Sequence, residues 1–193
     1  MQKYLPLSLA TVFNPDTEEI TDIGCSVPND LVTTNFGELF AGCFAPGGQH
    51  SKVLTDITNT TQTVKTYGAS AEASTAPFNF TTVTDMLTLV QVGTGTTTPD
   101  RGDYNIETAF ANGGPEDSRQ NTNNGSHIPD NSTVQVSKII TPTGGGGTVQ
   151  ETCLFGQYRT IAEVAKIFLL SRDLVTISFL TGQSISVVYV WNL

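Results

Sequence analysis

The sequence predicts an all-β protein: an antiparallel β-sandwich, jelly-roll-like, with one short helix near residues 35–44. Two observations carry that prediction. Threonine (30 residues) and glycine (18 residues) are abundant while charged residues make up only 14%, and β-branched side chains favour pleated, half-exposed surface. In addition, in the final stretch Ile185, Val187, Tyr189 and Trp191 alternate with Ser184, Ser186, Val188 and Val190, the period of two that marks a strand, and Val188 and Val190 on its second face read as covered too. Seven to nine strands suit the spacing of turn signals.

The elements follow in order. Residues 1–30 mix short apolar runs with turn residues such as Asn14-Pro15-Asp16, and read as a first strand or as an arm that docks on a neighbour. Residues 31–193 read as one sandwich domain with long loops at 45–80 and 111–132. Phe36, Leu39, Phe40 and Cys43 have the i, i+3, i+4, i+7 spacing of a helix face, with Thr34 or Asn35 as its cap and Pro46-Gly47-Gly48 as its end. Val53–Tyr67 reads as one or two exposed strands, 68–77 as a loop, and Met86–Val92 as a strand running into Gly93-Thr94-Gly95. Gly93 and Gly95 are expected to supply positive φ at a tight turn. Residues 111–132, rich in Gly, Pro, Asn and Ser, read as a long surface loop suited to contact with another molecule. Val134–Ile140 is a strand, and Gly144–Gly147 a turn. Thr148–Phe155, Ile167–Leu174 and Thr176–Leu180 read as three further strands. Tyr158–Lys166 reads as a single helical turn or a hairpin loop, and Gly182-Gln183 as the last turn.

Composition excludes several functions. A net charge of −9, from 18 acidic and 9 basic residues, gives no Lys/Arg cluster for a phosphate backbone or an anionic membrane. No apolar run approaches a membrane span of ~20 residues, and the proline-broken start does not read as a signal segment. The expected partners therefore include neither nucleic acid nor membrane, and synthesis in a cytoplasm is expected. Cys25, Cys43 and Cys153 lack any C-x-x-C spacing and read as buried free thiols, with one disulfide as the alternative, and with no metal role and no cofactor. His50 and His127 read as lying in glycine- or asparagine-rich loops without a carboxylate or thiol at ligand spacing. Gly93–Gly95 lacks the lysine and following helix of a phosphate loop. Asp16, Glu18 and Glu19 read as a solvated turn. Arg101-Gly102-Asp103 matches an adhesion tripeptide that recurs by chance. With no convergent Asp, Glu, His or Cys set, the chain is expected not to be an enzyme.

Several short motifs stand in one order along the chain. The strand leading into Gly93-Thr94-Gly95-Thr96-Thr97-Thr98-Pro99 resembles the "GTGTTxP" signature of tailed-phage structural proteins. Leu31-Val32-Thr33-Thr34 through Leu39-Phe40 resembles the helix preceding it in those proteins. Glu151-Thr152-Cys153-Leu154-Phe155 resembles their "ETGLF" strand, with Cys153 in place of glycine. Leu169-Leu170-Ser171-Arg172 resembles their "LLxR" strand, and Ile177–Trp191, including Gly182 and Tyr189, their closing "IxVxxGxxLxVxY" hairpin. The departures are Cys153 and the inserts at 45–80 and 111–132. The resemblance implies a virion component: a head-decoration or cement protein that binds major capsid subunits, or a tail-fibre or tail-tip protein that binds a host receptor. It carries no catalytic residues. Compact size and the absence of a fibrous repeat favour decoration. A symmetric homo-oligomer, such as a trimer, is the expected state. A carbohydrate-binding module or adhesin is the more distant alternative.

One physical expectation bridges two of these motifs. A hairpin of 148–155 and 167–174 centred near residue 161 sets Glu151 beside Ser171 and Arg172, within reach of a cross-strand ion pair.

Overall fold

The computed structural model of the protein describes residues 7–25, 31–43, 49–67, 88–111, 113–121, 126–128 and 133–192. The expectations for 68–77, for Met86-Leu87, for Pro46-Gly47-Gly48 and for part of 111–132 lie outside them. In chain order the first strands are β1 (Leu7–Phe13), β2 (Ile20–Cys25) and β3 (Leu31–Val32), then helix α1 (Thr34–Cys43). Next come β4 (Gln49–Thr55), β5 (Thr61–Tyr67), β6 (Thr88–Gly93), a 3₁₀ turn (Pro115–Asp117), β7 (Gln120–Asn121) and β8 (Ser126–Ile128). The chain closes with β9 (Thr133–Ile140), β10 (Gly147–Arg159), β11 (Ala165–Phe179) and β12 (Ser184–Asn192).

The architecture is all-β and antiparallel with one short helix. Sheet I has the order β2-β1-β12-β9-β8, sheet II the order β3-β11-β10-β6-β7, and β4-β5 is a separate hairpin. Alternation places one side of each sheet inward. Ile185, Val187 and Tyr189 of β12, with Ala10, Val12, Val136 and Ile140, face Val90, Val92, Val149, Leu154, Phe168, Leu170, Val175, Ile177 and Phe179 of sheet II in one apolar cluster. The two sheets thus share a core.

Residues 7–25 form two strands of sheet I, so the first-strand reading describes this part of the amino-terminal segment. The 45–80 insert is partly regular, because β4 and β5 pair across 49–67. Ile167–Leu174 and Thr176–Leu180 are a single strand, β11. Leu174-Val175-Thr176 contains no turn residue, and register shifts at Val149/Glu151 and Leu154/Phe155 absorb the irregularity that the apolar pattern showed. Residues 160–164 are a hairpin turn, closed by Thr160 N–H donating to Val164 O at 2.9 Å. The 111–132 segment contains the 3₁₀ turn, β7 and β8. His50 and His127 lie within β4 and β8, not in loops.

Helix α1 begins one residue earlier than expected, and its cap is Thr33. That hydroxyl accepts from Phe36 N–H at 3.4 Å and donates to Leu169 O at 2.7 Å, which satisfies one orphan amide and ties the helix to β11. Asn35, an alternative cap by sequence, instead clasps β4: its side chain donates to Thr55 O at 2.8 Å and accepts from Thr55 N–H at 2.9 Å. Leu39 is fully buried, while Phe40 is 45% exposed and stacks on Phe36. Asp56 organises the β4–β5 turn, accepting from both the amide and hydroxyl of Thr58, from Thr60 N–H and from Gln62. Burial pushes its carboxyl up, but these donors, led by the Thr58 hydroxyl, hold it below the usual carboxylate value.

Candidate functional site: a buried arginine hub

Strand alternation decides what each residue of the Glu151–Phe155 and Leu169–Arg172 stretches faces. On β10, Thr152 and Leu154 point toward sheet I, while Glu151, Cys153 and Phe155 point to the other face of sheet II. Arg172 sits opposite Cys153 on β11, so its side chain shares that outer face and reaches diagonally to Glu151. The expected pair is there: Arg172 Nε donates to Glu151 Oε2 at 2.7 Å. Both side chains are buried, at 2% and 0% exposure. The directly opposed partner of Glu151 is Leu174 and not Ser171, because the hairpin is centred at residue 162 instead of 161 and the register shift at Leu154/Phe155 adds one more position.

The pair is the centre of a larger arrangement built by the 94–111 loop. Arg172 Nη1 donates to Asp103 Oδ2 at 3.1 Å. Its Nη2 donates to Glu107 Oε2 at 2.6 Å and to Thr97 Oγ1 at 3.3 Å. Glu151 Oε1 accepts from Gly95 N–H at 2.9 Å and Thr108 N–H at 2.8 Å. Its Oε2 accepts from Glu107 N–H at 3.2 Å as well as from Arg172. All four acceptor positions of this carboxylate are taken. Burial works against the guanidinium charge, but the hydrogen bonds to Glu151 and Asp103 outweigh it and hold Arg172 above its ordinary pKa. The Thr97 amide, chiefly, and the Arg172 charge hold Glu107 below the usual glutamate value.

Gly93 and Gly95 are needed here for space, not for positive φ as expected; among the described glycines only Gly113 and Gly182 have it. A Cβ at Gly93 would meet Thr108 O and, at 2.7 Å, Glu151 Oε1 and Ile106 Cδ1. One at Gly95 would meet Glu151 Oε1 and, at 2.5 Å, Glu107 Oε2. The backbone must approach a buried carboxylate so closely that no side chain fits.

The remaining motif residues are distributed around this centre. Pro99 lies on the same loop, half-buried. Phe155, fully buried further along β10, carries the Arg119 guanidinium 4.6 Å above its ring centre. Gly182 (φ +86°) makes the β11–β12 turn away from the hub. Tyr189 belongs to sheet I and faces the inter-sheet core, where its hydroxyl donates to Thr152 Oγ1 at 3.1 Å. Burial pushes its phenol well above its ordinary value. Cys153 is buried beside Glu151, and burial first, then that carboxylate, pushes its thiol well up. Cys25 is exposed, contrary to expectation, because it lies on the outer side of the edge strand β2.

Asp103, Glu107 and Thr97 join the hub without having been singled out for it. Asp103 was visible only as the end of Arg101-Gly102-Asp103. In the structure its carboxylate is engaged by Arg172, which leaves the tripeptide poorly suited to presenting a free acid. Beside the hub an open cavity of about 270 Å³ is lined by Thr97, Asp103, Tyr104, Asn105, Ile106, Glu107 and Arg172. Among the described residues no cluster of three or more His, Cys, Asp or Glu is arranged to hold a metal ion, and no helix is long and apolar enough to cross a membrane. No protein-family model, curated protein or solved structure matches the chain.

Proposed function

We propose that this chain is a non-enzymatic structural protein of a tailed-phage particle, a decoration or cement subunit that binds neighbouring virion subunits in the head. The observation that carries the reading is the saturation of the buried charged constellation around Arg172. Glu151 has its four acceptor positions occupied by the protein's own donors, and Arg172 is tied to three carboxylates. Such a group has no capacity left for proton transfer or substrate charge; it clamps a long loop onto a sheet. The ordered succession of phage-like motifs supports the same reading, since Gly93, Gly95, Glu151 and Arg172, taken from three of them, converge on this clamp.

A tail-located, receptor-binding role is the second reading. It is favoured by Tyr104, 37% exposed in the wall of the open cavity beside Asp103, Asn105 and Glu107. An aromatic face next to hydrogen-bonding groups suits a polar, ring-shaped ligand.

Electron microscopy of purified particles with gold-linked antibody against this chain separates the two. Label over the head supports decoration, and label confined to the tail supports receptor binding. Particles that carry no label overturn both.

A further inference from the structure

The outer side of sheet I is uncharged and partly apolar at its described positions. Its residues include Ile20, Ile23 and Cys25 on β2, Leu9, Thr11 and Phe13 on β1, Ser186, Val188 and Val190 on β12, and Gln135, Ser137 and Ile139 on β9. None is charged, in a chain whose net charge is −9. Ile20, Ile23 and Ile139 are 56%, 60% and 49% exposed. Solvated sheet faces ordinarily alternate apolar-in with polar-out, so this face shows water more apolar surface than its position requires.

We propose that this face is a self-association surface, on which a second copy of the chain packs sheet against sheet. It rests on the reading of the chain as an assembling structural protein and names the surface that reading leaves open.

Three observations select a second copy as the occupant. First, two chains of charge −9 repel wherever their acidic surfaces meet, whereas this face brings no like charges together. Second, the cross-strand row Ile23–Thr11–Ser186–Ile139 is apolar at both ends and hydroxylic in the middle. Turned about a two-fold axis it meets itself with apolar on apolar and hydroxyl on hydroxyl, the self-complementarity an isologous contact requires. Third, the area is adequate. The five strands run 7, 6, 9, 8 and 3 residues, and at about 3.4 Å per residue and about 4.8 Å per strand they span roughly 540 Å². Two copies then bury about 1,100 Å², just above the roughly 1,000 Å² of a specific interface. That size corresponds to a weak, reversible contact, which many copies on one particle strengthen by avidity.

Sedimentation velocity of the full chain, from micromolar to several hundred micromolar, tests this. The wild type is expected to shift from the 20.6 kDa monomer toward twice that mass as concentration rises. Ile23→Lys and Ile139→Glu each place a charge in the contact and are expected to weaken association at least about tenfold. Val164→Lys, a change at the exposed β10–β11 turn, is expected to associate as the wild type does. Melting curves establish that all three variants fold, as these exposed positions predict. A wild type that stays monomeric throughout overturns the proposal. So does association unchanged by both face substitutions, or weakened equally by Val164→Lys. Gold labelling reads location on the particle and sedimentation reads self-contact, so failure of one is distinguishable from failure of the other.

Discussion

Replacing Arg172 by methionine removes the hub's only cation while keeping most of its bulk. Four hydrogen bonds disappear, to Glu151, Asp103, Glu107 and Thr97. Asp103 and Glu107 are partly exposed, at 27% and 30%, and water can take over their oxygens. Glu151 is fully buried and cannot recruit water so easily. Breaking a buried pair by removing one partner costs about 3–5 kcal/mol. Glu151 keeps three amide donors, from Gly95, Glu107 and Thr108, which places the expected loss near the lower end, about 3 kcal/mol. For a chain of this length that is roughly 6–12 °C in melting temperature. Urea unfolding at 25 °C, followed by circular dichroism, measures it against the wild type. Glu151→Gln with Arg172→Met removes the stranded charge, so the double variant is expected to lose less than the sum of the singles by about 1–3 kcal/mol. A loss below about 1 kcal/mol for Arg172→Met, the value of a surface ion pair, or strict additivity in the cycle, refutes the account of the hub.

Four further outcomes are expected. Gly95→Ala should destabilise by about 1–3 kcal/mol through collision with the Glu151 carboxylate. Gly182→Ala, with nothing near its Cβ but φ at +86°, should cost about 1–2 kcal/mol, and Gly182→Asn distinctly less; equal tolerance of Ala and Asn at 182 contradicts the assignment. Glu107 has its folded pKa lowered from 4.5, so its contribution is fully present above that value and is lost as pH falls through the depressed one. Acid titration of stability should therefore be flatter below pH 4.5 in Glu107→Gln than in the wild type. In native protein at pH 8, thiol labelling read by peptide mass spectrometry should modify exposed Cys25 and spare Cys153, whose thiol is buried with a raised pKa. Rapid labelling of Cys153 without unfolding contradicts its place in the structure.

The sequence showed much of this protein because much of it is local. Period-two alternation marked β12, helical spacing marked α1 to within a residue at each end, and Gly182 marked the last turn. Glu151 and Arg172 could be matched because a hairpin relates its two strands by arithmetic. Residues without local pattern were not legible. Asp103, Glu107 and Thr97 reach the hub from a loop that has no periodicity to place it, and Asp56 sits in a threonine-rich stretch where one acid looks like any other.

Chain composition and alternation by themselves determined that the protein is antiparallel β with a short helix, and where most strands run. Tertiary structure alone decided which strands share a sheet, that Arg172 gathers three carboxylates, and that Gly93 and Gly95 serve close approach instead of positive φ. The reason is range. Backbone periodicity and turn chemistry act between residues a few positions apart, whereas sheet order and the partners of a buried charge depend on distant segments, as between Thr97 of the loop and Arg172 of β11, 75 positions apart, that only folding brings within hydrogen-bond distance.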